Sequence, residues 1–556
     1  MIRNEPAPAR LTIWSEPRAR GMLIPPDRIA RYDCPVRMPP PGANVMICCS
    51  RAVVAALLCA AMPLSAQTSA LGVIDFPTSG RPSAQPHFIR GVLLLHSFEY
   101  EDAARAFREA QEADPDLAIA YWGEAMTYNH PVWMQQDSAA ARAVLARLGA
   151  TTEARLARVR TPREREWLLA AEALYGAGGK QERDFRYADA MRRLYEANPG
   201  DHETAVFYAL ALLGTAHGGR DFATYMRAAA IAAPVFAANP HHPGAAHILI
   251  HSFDDPVHAP LGLPAARAYA SIAPAAGHAQ HMTSHIFVAL GMWDDVVSAN
   301  ERARAVQDAR NAKLGRAANV CGHYASWLQY GYLQQGRHRE AASLMEACHT
   351  RVRQGGTPAE MMYFADMRAR YVLDTQDWAA ADRWSIDLAP GHARMIVEFT
   401  TAFAALERGD PAPARKAAAH LEQSAADRPA GIGIHGMELR ALVLLHDGRS
   451  DEAIALLRDA TEAEEALPYE FGPPAIVKPT HELLGEVLLE TGRVEEARAA
   501  FRHALLRTPL RVAALEGASV CAKRMGDEAG ALELAAQLKR IRARADETAM
   551  RNGARH

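Results

Sequence analysis

Two stretches at opposite ends of this 556-residue chain keep one spacing, position for position. Gly91, Leu94, Tyr100, Ala103, Phe107, Ala110 and Pro115 are matched by Gly485, Leu488, Val494, Ala497, Phe501, Ala504 and Pro509. Apolar residues at every third or fourth place form one face of a helix. The small residue lets a second helix approach closely, and the proline closes the unit. Each stretch is therefore a helical hairpin. A hairpin of this kind cannot bury both faces alone, so copies must stack on one another, and the chain is constrained to a repeat array.

With the register fixed, weaker copies emerge. Gly291-Met-Trp293 precedes Val296 and Ala303, Gly336-Arg-His338 precedes Ala341 and Met345, and Gly448-Arg-Ser450 precedes Ala453, Leu457 and Ala460. Pro240 and Pro274 are 34 apart, as are His96 and His130. Leu148 to Arg165 shows no clear hairpin, and Arg353 to Arg383 is ambiguous. The pattern resembles the 34-residue tetratricopeptide repeat, with its small-residue slot, Ala-x3-Phe and terminal Pro. That resemblance implies an all-α, right-handed superhelical solenoid of about nine to eleven hairpins, with a concave groove that takes a protein, a peptide or a small ligand. Pro86-His-Phe-Ile-Arg90, Tyr121-Trp-Gly-Glu-Ala-Met-Thr-Tyr-Asn-His-Pro-Val-Trp133, His281-Met-Thr-Ser-His285 and Glu470-Phe-Gly-Pro-Pro474 also resemble segments of a group of exported bacterial repeat proteins. This second resemblance implies fold and export and carries no activity.

Composition agrees with close-packed helices. Only 7% of residues are aromatic, and the run from Ala228 to Ala238 is Ala-rich. With 61 Lys+Arg against 64 Asp+Glu the net charge is −3, which argues against a broad basic surface and hence against a nucleic-acid partner. Residues 1–45 hold nine prolines and seven arginines without helical or strand period, and are expected to be a non-coding or disordered extension. Residues 46–66 read as a signal peptide: Arg51 in a short first region, an apolar run from Ala52 to Leu64, and Leu64-Ser65-Ala66 before cleavage at Gln67. Translation is expected to start at Met46 and the mature chain to be periplasmic or secreted. No transmembrane span is expected after cleavage, since the apolar run is short for one. A linker over 67–83, the solenoid over 84–540 and a polar tail over 541–556 complete the expected organisation.

Histidine is the unusual residue. Of 23, eight fall between His241 and His285, where an even spread would place about two. Two pairs stand at i,i+4: His247 with His251, and His281 with His285. Their offset equals the repeat period of 34. An i,i+4 pair shares one helix face, and first helices of neighbouring hairpins pack at about 8 to 10 Å, so four imidazoles should converge. By register His278 and Asp254 should face the same groove. Such a His/carboxylate set suits a divalent ion, Zn or Fe, while the absence of thiolates argues against a closed Cys-type zinc site. Hydrogen-bonding histidines in a polar groove are the structural alternative.

Catalysis is the weaker reading. His281-Met-Thr-Ser-His285 has zincin spacing without the adjacent Glu, leaving Asp254 or Asp255 as the candidate base. A second group, Trp122, Tyr128, Asn129 and His130 with His96 one repeat earlier, is a candidate aromatic lining of the ligand groove. Glu482 and Glu486 form a groove-side carboxylate pair. Finally, register puts Cys321 and Cys348 at the same end of one hairpin, within reach of a disulfide.

Overall fold

The computed structural model describes residues 70–424 and 430–546. Among them are 25 α-helices, from Gln85–His96 to Glu528–Ile541, and one two-residue antiparallel β pair that links Asn129 with Gln136. The chain is an α-solenoid of stacked hairpins, each helix packing on its sequence neighbours. The segment without a clear hairpin holds the short helix Thr152–Leu156, and the ambiguous one holds the long helix Pro358–Thr375 followed by the one-turn Ala380–Arg383.

The repeated Gly and Phe are one device. Phe107 lies against Gly91 of its own hairpin and Gly123 of the next, and Phe501 lies likewise between Gly485 and Gly517. A methyl at any of these glycines would overlap the ring, so the pairs set the spacing of successive hairpins. The turn within a hairpin is also shared. Gly291, Gly336, Gly448, Gly492 and Gly526 all have positive φ two residues before the second helix begins, the left-handed cap that glycine adopts without cost. In the first hairpin that place belongs to Phe98, at φ 52°. A bulky residue in this region is strained.

Residues 70–83, expected as a linker, are instead packed on the solenoid. Phe76 is fully buried, Val73 N–H donates to the His241 carbonyl at 2.9 Å, and Ser79 donates to Glu164. Apolar side chains make this segment part of the core. At the other end the tail begins ordered: Asp546 is buried, its N–H donates to the Gly336 carbonyl and its carboxylate pairs with Arg339. The start-site and signal-peptide expectations fall on residues 1–66, outside the described residues.

The solenoid folds back on itself. Trp293 Nε1–H donates to the Leu510 carbonyl, and Arg511 reaches Tyr330 and Asp374. Residues 466–479, between the helices Ser450–Glu465 and Thr480–Glu490, cross to the middle of the chain, with Tyr469 stacked on Phe222 and Pro468 against Gly219. Further along, the same proline-rich segment sets Phe471 against His251 and His285. Cys321 and Cys348 are joined in a disulfide, as their register predicts.

Candidate metal centre

Three consecutive first helices build the centre: Pro243–Phe253, Gly277–Ala289 and His323–Gln334. Pro243 opens the first at a position where its missing N–H costs nothing, and the His242 side chain caps it by accepting from Ala245 N–H. His247 and His251 lie one turn apart on this helix, and His278, His281 and His285 lie on the next. All five are buried; His323, on the third, is half-buried.

The tautomers follow from what each Nδ1 touches. His247 Nδ1 lies 2.6 Å from the carbonyl oxygen of His96, which can only accept, so Nδ1 carries the proton and Nε2 a lone pair. Asp254, the residue after its helix, accepts through one oxygen from His251 Nδ1 at 3.2 Å and from His285 Nδ1 at 2.8 Å. His281 Nδ1 lies 2.7 Å from Asn300 Oδ1, whose amide nitrogen is committed to the Val296 carbonyl. All four Nδ1 atoms are therefore donors.

The Nε2 atoms are left as acceptors without donors. Those of His281 and His285 face each other at 3.1 Å. Two lone pairs at that distance repel unless a proton or a metal ion stands between them. Burial, followed by the neighbouring histidines His323 and His285, holds His281 well below its ordinary range. For His285 burial outweighs the opposing pull of Asp254 and lowers the imidazole to about 4; for His323 burial and the charges of His285 and His251 lower it to about 3. A proton at neutral pH is thus disfavoured, and neutral imidazole is the ligand form. The Nε2 atoms of His247, His251 and His278 are buried with no hydrogen-bond partner.

The four histidines expected to converge on one point are divided between two sets. His247 and His251 join His278, and His281 and His285 join His323, each set offering three ligand atoms within 4.8 Å of one another. The rings of His251 and His285 are 5.4 Å apart, those of His278 and His281 6.0 Å. The pairs are adjacent, as the period predicts, but each i,i+4 pair has its own third partner, His278 for one and His323 for the other.

Asp254 lies where expected: it orients the imidazoles of His251 and His285 and, with them, forms a further group whose ligand atoms lie within 4.8 Å of one another. Arg220, from the loop before the helix Phe222–Ala238, pairs with both Asp254 and Asp255. Burial by itself would raise the Asp254 carboxyl, yet Arg220, His251 and His285 outweigh it and hold it far below the usual carboxylate range. Asp255 is bound to His258 and to the backbone N–H groups of Val257 and His258. Both carboxylates are thus committed to these contacts.

Two contributors escaped sequence reasoning. His323 stands 42 residues after His281, because the intervening helix Trp293–Lys313 is longer than the repeat allows; counting hairpins instead of residues would have found it. Phe98 presses on His247 at 4.2 Å and stacks on His278 at 5.4 Å. Its sequence signal is a bulky residue where Gly291, Gly336, Gly448, Gly492 and Gly526 stand in other hairpins. Over the second set, Phe471 stacks on His285 at 5.0 Å, and Gly472, at φ 96°, lies flat on Trp327.

The expected ligand groove is dispersed. Trp122 is fully buried among Phe76, Trp167 and Phe207, a core residue because its helix packs on both neighbours. His96 is buried too, donating to Glu203, which also faces His242. Asn129 is buried and accepts from Gln136. Tyr128 and His130 do line an open depression of about 560 Å³, His130 stacked on Tyr100. A second, more enclosed cavity of about 430 Å³ lies under the 466–479 segment beside Tyr469, Pro473, Ile476 and Arg507.

The tetratricopeptide-repeat family profile matches residues 479–509, the hairpin that carries the sharpest copy of the spacing. The comparison with curated proteins finds no match. Among solved structures, the human IFIT1 dimer with m7Gppp-AAAA shares 12% identity over 88% of this chain and 94% of its own, with a TM-score of 0.32. The P58(IPK) TPR domain shares 14% over 80% and 98%, at 0.21, and yeast Tom70 shares 11% over 86% and 93%, at 0.29. At TM-scores this low they say nothing about the groove of this chain.

Proposed function

We propose that this tetratricopeptide-repeat protein is an exported binding protein that holds a first-row divalent ion, zinc or iron, on His281, His285 and His323, and takes a protein, peptide or small-ligand partner on its concave side. One observation carries the metal: two Nε2 lone pairs face each other at 3.1 Å in a buried site whose Nδ1 protons are already committed to Asn300 and Asp254. A third imidazole within reach makes the three-histidine, open-position arrangement that catalytic and transport ions accept.

Repeat solenoids bind partners, and the cavity under residues 466–479 has the size and apolar lining of a small-ligand site. The near-balance of charge supports a protein or small ligand over nucleic acid. Among the described residues no helix is long and apolar enough to cross a membrane. Export is supported by the signal-like sequence of residues 46–66 and by a disulfide that an oxidising compartment permits.

The test is elemental. Protein stripped with chelator, incubated with Zn²⁺ or with Fe²⁺ under argon and desalted, is expected to retain metal, and His281→Ala/His285→Ala to lose it. A wild-type protein that retains no metal overturns the assignment.

A further inference from the structure

We infer that the centre is paired: His247, His251 and His278 hold a second divalent transition-metal ion beside the one assigned to His281, His285 and His323, and the two sets share Asp254. This rests on the proposed metal function and extends it with a site of separate residues.

Three buried Nε2 atoms, of His247, His251 and His278, have no hydrogen-bond partner and lie within ligating distance of one another. For His247 and His251 the Nδ1 contacts make Nε2 an acceptor, so both present lone pairs to the same small space. A cation satisfies every lone pair at once. The surroundings are those of a ligand shell. Phe98 is held in the left-handed region, where other hairpins use glycine, with its ring against His247 and His278. On the other side, Glu99 accepts from the His278 backbone N–H and fixes the start of that helix.

Asp254 ties the two sets together. One of its oxygens accepts from His251 in the first set and from His285 in the second, and Arg220 holds the carboxylate in place. Both ligating imidazoles are thus oriented by one atom, as carboxylates behind metal-bound histidines are. Neither set contains an anionic ligand, which suits ions that accept neutral imidazole and leaves positions open on each.

Stoichiometry decides. Metal-free protein is equilibrated with Zn²⁺ alone, and bound ions are counted by native mass spectrometry and elemental analysis. Two per chain are expected. His247→Ala/His278→Ala and His281→Ala/His285→Ala should each keep one, and Asp254→Asn should weaken both by about 10- to 100-fold. One ion in the wild type, or two that survive His247→Ala/His278→Ala, overturns the pair while leaving the metal function standing; none overturns both. The wild-type count needs no variant to fold, so the inference stays decidable if a double substitution unfolds the chain.

Discussion

Two of the buried polar clusters in this solenoid differ in one respect. Near the C-terminus Arg511 donates to Glu482 at 2.7 Å and to Asp374 at 2.6 Å, while Lys478 donates to Glu482 at 3.0 Å and to Glu486 at 2.6 Å. Donors meet acceptors, and the cluster is complete as it stands. In the histidine centre the Nδ1 donors of His247, His251, His281 and His285 are used, and their Nε2 acceptors are left without donors. The first pattern fastens helices together; the second is the one on which the proposed metal sites rest. Burial and charge alone would not tell them apart. Counting donors against acceptors does.

Four experiments break or sharpen this contrast, taken from the largest effect down. Arg511→Met should cost about 3 to 5 kcal/mol, because Asp374 loses its charged partner and Glu482 keeps only Lys478. Denaturant unfolding should register that loss with Zn²⁺ retention unchanged; a variant as stable as wild type would show that the network contributes nothing. Metal should do the converse to the histidine centre. At free Zn²⁺ about 1,000 times Kd, stability should rise by about 4 kcal/mol per site in thermal melts, and a melting temperature indifferent to Zn²⁺ would remove the contrast.

Acid should separate the clusters next. His285 titrates near 4 in the fold against 6.5 unfolded, so its contribution is full above 6.5 and is lost as pH falls from 6.5 toward 4. That is on the order of 3 kcal/mol from this residue in metal-free protein. At Glu482 burial opposes ionisation, but Arg511 and Lys478 outweigh it and bring the carboxyl to about 2, below its ordinary 4.5. Its contribution is full above 4.5 and is lost as pH falls from 4.5 toward 2. Thermal melts from pH 8 to 3 should therefore fall first below 6.5 and again below 4.5, and Arg511→Met should remove only the second fall. The smallest effect concerns the covering segment. Gly472→Ala combines a left-handed backbone with overlap against Trp327, and should cost about 1 to 3 kcal/mol and speed Zn²⁺ release to a chelator, read by stopped flow.

Helix, hairpin and stacking were legible from residue spacing, because a 3.6-residue period and a Gly–Phe pair act between near neighbours. The same local logic placed His247 beside His251 and His281 beside His285, and aligned Cys321 with Cys348. Trp122 was ambiguous for the opposite reason: an aromatic on a first helix reads the same whether its neighbour is solvent or another helix, and only the packing of Phe76, Trp167 and Phe207 makes it core.

By itself, then, the sequence determined an all-α repeat array and the adjacency of two histidine pairs, since both follow from periods that local geometry enforces. Tertiary structure alone decided how those pairs divide. His323 arrives through a hairpin of irregular length, Asp254 is aimed by Arg220 from an earlier loop, and Phe471 is carried to His285 by a segment almost 190 residues later in the chain. None of these contacts has a period, because each depends on how far the superhelix turns before the chain meets itself.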